Sequence, residues 1–174
     1  FTLDLYRRLA AEGGNVVASP ASVSLACGMA YAGARGETES QMAAALHYNL
    51  PQDRLHPAVR TLASRLVGGQ ESGGLRVANA MWLQSGYPLL PGFTEVVGRD
   101  YGAAAYAADF QTDPAGATRS INDWVRSATN DRIRDLIQPD LSRDTRLVLA
   151  NAVHFLEAWE EPFERKMTED GDFS

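Results

Sequence analysis

Thr145-Arg146-Leu147-Val148-Leu149-Ala150-Asn151-Ala152-Val153-His154-Phe155 is the stretch on which the fold turns. From Arg146 to Phe155 it is an apolar run of strand length, bounded by turn-rich residues, with apolar side chains on both of its alternating faces. Such a strand has to be covered on both sides. Asn151 interrupts it on the face shared by Leu147, Leu149, Val153 and Phe155, where an unpaired amide would cost about 1–3 kcal/mol. Asn151 therefore needs hydrogen-bond partners, and a static structural bond is the plainest way to supply them.

Working outward, Leu75 to Leu83 is a second strand apolar on both faces, bounded by Gly73-Gly74 and Gly86, with Asn79 as a structural hydrogen-bonding group. Ala104 to Asp109 predicts a short third strand and Asn15 to Ala18 a brief extra one. Between them lie helical patterns. Thr2 to Leu9 ends at Gly13-Gly14; Ser19-Pro20 starts a helix running to about Ala32, with Ser19 as N-cap. That helix is apolar all round, which places it inside a large core. Thr38 and Gln41 suggest a capping box before Met42, Ala45 and Leu46. Leu55, Val59, Leu62 and Leu66 mark a fourth helix that stops at Gly68-Gly69, and Phe93, Val96, Val97 and Tyr101 a fifth. Asp113-Pro114 opens a sixth, with Ala117, Ile121, Trp124, Val125 and Ala128 on one stripe, Trp124 packing against the sheet. The class is α+β, and two strands needing cover on both faces ask for more layers than this chain supplies in full.

The 174 residues, 45% of them hydrophobic, suit one folded domain rather than disorder or a transmembrane chain. The net charge of −6 is spread without an acidic tract, and the 16 basic residues form no block suited to nucleic acid or a membrane surface. A single cysteine, Cys27, excludes an intrachain disulfide and leaves the compartment open, secreted or cytoplasmic. Phe1 opens directly into an amphipathic pattern, as a trimmed N-terminus would, and the Ala-, Gly- and Arg-rich composition suggests a bacterial source. His47, His56 and His154 fall in different elements without ligand spacing, so neither a metal site nor a catalytic site is expected, and no cofactor is implied.

Several segments, in order, resemble the serpin family. Asn15-Val16-Val17-Ala18-Ser19-Pro20-Ala21-Ser22 through Gly33-Ala34-Arg35-Gly36 is similar to the entry to and exit from serpin helix B, and Thr38 to Leu46 to the helix that follows. Val77-Ala78-Asn79-Ala80, Phe93, Tyr101-Gly102-Ala103 and Asp109-Phe110 resemble the region of strands 2 and 1 of the large sheet A. Ile121-Asn122-Asp123-Trp124-Val125, Thr129-Asn130, Ile133 and Leu136-Ile137 resemble helix F and its exit. Thr145 to Phe155, then Trp159, Pro162-Phe163, Thr168 and Phe173, resemble strand 3 of sheet A and the breach beyond it. Two departures stand out. Phe155-Leu156-Glu157 replaces the family's usual Phe-Lys-Gly, and Asp131 stands where a glycine is common, which suggests a left-handed backbone there.

The resemblance implies a serpin fold, with residues 1–174 the N-terminal part of a single domain whose C-terminal half carries the reactive loop. It implies inhibition of a serine protease by suicide trapping, in which the cleaved loop inserts into sheet A beside the strand of Leu147, Val148, Leu149, Ala150, Ala152 and Val153. The implied partners are a target protease and that C-terminal half. A non-inhibitory serpin, acting as carrier, chaperone or storage protein, has the same body and is the alternative; a truncated, inactive product is a third. In the family the asparagine matching Asn151 joins two serines in the shutter, here Ser19 and Ser22. Trp159 matches the breach tryptophan, buried whether it serves the breach or only the core. Arg54, Arg60, Arg65 and His56 lie where some members bind heparin, but they read as a solvated face, and no heparin site is expected.

Overall fold

A computed structural model describes residues 1–66, 74–156, 158–167 and 169. Gly68-Gly69 and Gly73, expected as boundaries, and Glu157, Thr168 and Phe173 of the resembling segments lie outside these residues. The order is α1 (Thr2–Ala10), α2 (Pro20–Gly33), α3 (Gly36–Leu46), α4 (Gln52–Leu66), β1 (Gly74–Gln84), α5 (Pro91–Tyr101), β2 (Ala104–Ala108), α6 (Pro114–Ala128) and β3 (Leu147–Leu156), then a 3-10 turn at Arg165–Met167.

Helix starts follow their caps. The Ser19 hydroxyl accepts the Ser22 N–H at 3.4 Å before Pro20, and Asp113 accepts the Gly116 N–H at 2.8 Å before Pro114. At the exit of α6, Asn130 and Asp131 have φ of 49° and 62°, so Asp131 takes the left-handed conformation its place in the sequence suggests. Two expectations fail. The helix starts at Gly36 with Arg35 as N-cap and no side-chain cap bond, so Thr38 is already inside it and Gln41 donates to Glu37 at 2.9 Å instead of closing a capping box. Asn15 to Ala18 forms no strand, because no described segment pairs with it, and Val17 is wholly exposed.

The three strands form one sheet in the order β2-β1-β3. β1 runs parallel to β2 from Ala80↔Ala104 to Gln84↔Ala108, and antiparallel to β3 from Gly74↔Leu156 to Leu83↔Leu147. The sheet is covered on both faces, as two-faced strands require. On one face Ala80, Trp82 and Ala150 pack with Phe110, Ile121 and Val125 beneath α6, and Trp124 meets Trp82 edge-on at 5.3 Å. On the other, Met81 joins Met29 and Ala32 of α2 and Val97 and Tyr101 of α5, with Leu149 partly buried beside them. Buried Gln84 closes the end of β1: its Oε1 accepts the N–H groups of Phe110 at 2.9 Å and Gln111 at 3.2 Å, which fixes the turn into α6. Only Gly28, Met29, Tyr31 and Ala32 of α2 are buried, and Val23 is 41% exposed, so this apolar helix is covered on one side alone.

Candidate functional site

β3 lies at the edge of the sheet, and its outer row of backbone N–H and C=O groups has no strand partner among the described residues. Proteins usually blunt such an edge with proline, lysine or a bulge. From Leu147 to Leu156 there is no proline and no lysine, His154 is the sole titratable residue, and the ladder to β1 runs through ten consecutive pairs without a bulge. Ala150 and Ala152 are buried; Val148, Leu149 and Val153 are half-buried; Leu147 is exposed. The result is a long, straight, apolar strand edge suited to receive another strand.

Asn151 lies directly opposite Asn79 in the ladder, on the α2–α5 side of the sheet. Its Nδ2 donates to Asn79 Oδ1 at 2.7 Å, and Asn79 Nδ2 donates to the Tyr101 carbonyl at 2.8 Å. Asn151 Oδ1 is buried and has no hydrogen-bond partner among the described residues. The serines that the resemblance would join to Asn151 bond each other instead, the Ser22 hydroxyl donating to Ser19 Oγ at 2.8 Å. Asn151 thus spends its donor on β1 and keeps a buried acceptor that no described residue satisfies.

Tyr101 continues the chain of bonds. Its hydroxyl lies 2.8 Å from His56 Nδ1, and both residues are buried. Burial pushes the Tyr101 hydroxyl above the usual phenol range, so it stays protonated and can donate. Burial likewise holds the His56 imidazole below the ordinary histidine value, against the pull of nearby Asp100. Asp100 is itself buried, gripped by Arg99 at 2.7 and 3.0 Å with Arg60 at 3.5 Å, and the Arg99 hydrogen bonds keep its carboxyl below the usual range. This corrects the solvated-face reading for His56, which is 3% exposed, while Arg54, Arg60 and Arg65 do face solvent. The missed signal was position: His56 sits three residues before Val59, on that helix's inner stripe.

Trp159 also departs from expectation. It is 71% exposed, touching Phe163 edge-on at 5.8 Å, because no described element packs over it. Among the described residues no group of three or more His, Cys, Asp or Glu could hold a metal ion, and no helix is long and apolar enough to cross a membrane.

Comparison with known proteins bears on the whole chain. The family model for serpins, serine protease inhibitors, matches residues 1–174. An uncharacterized serpin-like protein of Thermococcus kodakarensis is 41% identical over 174 residues, covering 99% of this chain and 41% of that protein. Leukocyte elastase inhibitor of Sus scrofa is 35% identical over 99% of this chain and 46% of its own length. Among solved structures, cleaved Serpin 42Da superposes with a TM-score of 0.88 at 30% identity, over 97% of this chain and 45% of that one. Emu ovalbumin gives 0.91 at 25% identity, over 98% and 48%. The chain therefore spans less than half the length of these relatives. With the family model matched from the first residue to the last and the sheet and helices superposing on solved members, the chain belongs to the serpin family.

Proposed function

We propose that this chain is the N-terminal part of an inhibitor of serine-type endopeptidases that works by suicide trapping, with β3 as the edge beside which the cleaved reactive loop inserts. The carrying observation is that unblunted edge: ten residues of regular, mostly apolar strand whose outer backbone groups have no strand partner among the described residues. In this reading the rest of the protein supplies the loop, the strand that first covers β3, and the layer over α2 and Trp159. The 71% exposure of Trp159 and the one-sided cover of α2 support that assignment. Ser19, Ser22 and Asn151 form the shutter, where the free acceptor of Asn151 awaits a donor. A native state that can still gain a strand is protected by a barrier rather than by equilibrium.

The test is direct. The complete protein is incubated with trypsin-like, chymotrypsin-like and elastase-like proteases and resolved under denaturing conditions. A covalent, SDS-resistant complex with at least one of them is the expected result. If all three only cleave the protein, the trapping mechanism falls and the non-inhibitory reading, as carrier, chaperone or storage protein, takes its place.

A further inference from the structure

We infer that Tyr101, anchored by His56, is a positioning residue that restrains the edge strand β3 against the shift that admits a new strand. The inference rests on the reading of β3 as the insertion edge, and names four residues that govern when that edge moves. The observation is a continuous run of short hydrogen bonds through buried and half-buried groups of four elements. Asn151 of β3 bonds Asn79 of β1 at 2.7 Å, Asn79 bonds the Tyr101 carbonyl of α5 at 2.8 Å, and the Tyr101 hydroxyl meets His56 of α4 at 2.8 Å.

The geometry leaves Tyr101 little freedom. Its ring lies against the backbone of α2 at Gly28, so closely that a β-carbon there would sit 2.6 Å from the hydroxyl oxygen. The ring of His56 stands 5.7 Å from that of Tyr101, edge toward face, and 6.0 Å from Tyr31 of α2. The last residue of α5 is thus wedged on α2 and bonded to α4, and its carbonyl holds Asn79. For β3 to make room, β1 and β3 must travel across α2. Asn79 either drags Tyr101 out of its wedge or loses it. A buried amide that loses its partner is costly, so the link acts as a catch that breaks in the transition state.

The backbone ladder alone would hold β1 to β3 but tie neither to α4. A change at His56, with no atom on the sheet, therefore alters the rate at which the sheet opens. Substitutions along one chain of bonds should be non-additive, because a broken link makes the next break inconsequential.

The experiment uses the complete protein and follows its unimolecular conversion to the inserted, hyperstable form, alongside amide exchange of Leu147 to Leu156 in the native state. Tyr101→Phe and His56→Leu should each speed conversion about three- to tenfold, the factor a lost buried hydrogen bond carries. His56→Gln, which keeps a hydrogen-bonding group, should stay within about twofold of wild type. Tyr101→Phe combined with Asn151→Ala should accelerate by clearly less than the product of the two single effects. Multiplicative effects, or unchanged conversion in Tyr101→Phe, would overturn the inference. Amide exchange separates this result from the trapping mechanism. If the wild-type protein never inserts, that mechanism fails, while faster exchange along β3 in Tyr101→Phe still supports the catch and unchanged exchange refutes it. Should His56→Leu fail to fold, Tyr101→Phe decides alone.

Discussion

Gly28→Ala should destabilise the native protein, although helix propensity by itself predicts the opposite. Gly28 is in the third turn of α2, and replacing a helical glycine by alanine normally stabilises by about 1 kcal/mol. Here the new β-carbon would stand 2.6 Å from the Tyr101 hydroxyl and 3.0 and 3.1 Å from two of its ring carbons. An ordinary contact needs about 3.4 Å or more, so the hydroxyl has to retreat by about 0.8 Å. That hydroxyl is bonded to His56 Nδ1 at 2.8 Å, in a buried ring with no exposed side to turn toward. The retreat breaks that bond, at about 1 kcal/mol, and overpacks the α2–α5 contact, at about 1–3 kcal/mol. Set against the propensity gain, the net change is a loss of about 1–3 kcal/mol. Urea unfolding of the native protein measures it, as a lower midpoint at unchanged slope. Gly28→Ala with Tyr101→Phe should recover part of the loss, since the 2.6 Å contact disappears while the ring carbons stay close. A Gly28→Ala protein as stable as wild type, or more so, would refute the packing argument outright.

Other outcomes follow from the same geometry. Asn151→Ala removes the donor that binds Asn79 and should speed passage to the inserted or polymeric form, measured by native gel and residual inhibition; unchanged rates would count against a role in the shutter. Gln84→Ala leaves the buried Phe110 N–H without its acceptor and should cost about 1–3 kcal/mol in a melting experiment, whereas Gln84→Glu, which keeps an acceptor oxygen there, should cost clearly less. His56 has its folded value depressed by burial, so protonation favours the unfolded chain. Stability is then fully present above the ordinary histidine pKa and declines as pH falls below it, a decline that His56→Gln should remove from the acid limb of a pH–stability curve. Residues 1–174 expressed alone should show no cooperative melt by circular dichroism, because α2 and the edge of β3 stay uncovered.

Local grammar was legible and long-range pairing was not. Ser19-Pro20 and Asp113-Pro114 announce helix starts because the cap and the first turn are neighbours in sequence. Asp131 could be placed in a left-handed turn because it stands where the resembling family commonly has a glycine. Strand faces were readable from alternation, which grouped Asn151 with Leu147, Leu149, Val153 and Phe155; that this face lies opposite α6 came only from the assembled sheet. Its partner was not readable, since Asn79 is 72 residues away and the register that sets them face to face is a property of the assembled sheet. The link between His56 and Tyr101, 45 residues apart, was hidden for the same reason, and the nearby arginines disguised His56 as one more surface group. Trp159 and Asn15 to Ala18 misled in another way: their patterns ask for burial or pairing that no described element provides.

The two faces of the sheet divide the work of staying shut. Toward α6, the β1–β3 ladder presents the facing pairs Ala78–Ala152 and Ala80–Ala150, side chains too short to interlock deeply with a helix lying over them. The large group on this face, Trp82, belongs to β1 and meets Trp124 edge-on at 5.3 Å, so β3 itself offers α6 only small side chains to grip. Toward α2 and α5, the same ladder carries Met81, Leu149 and the Asn79–Asn151 pair, bonded onward to Tyr101 and His56. If β3 shifts to admit a strand, its small α6-facing side chains yield more readily than the polar catch on the other face. A rate controlled by a few hydrogen bonds is steeply sensitive to single substitutions, whereas one spread over a packed interface is not. Enlarging Ala150 should therefore slow or strain the shift through packing, while loosening Tyr101 should hasten it with little change in the apolar core.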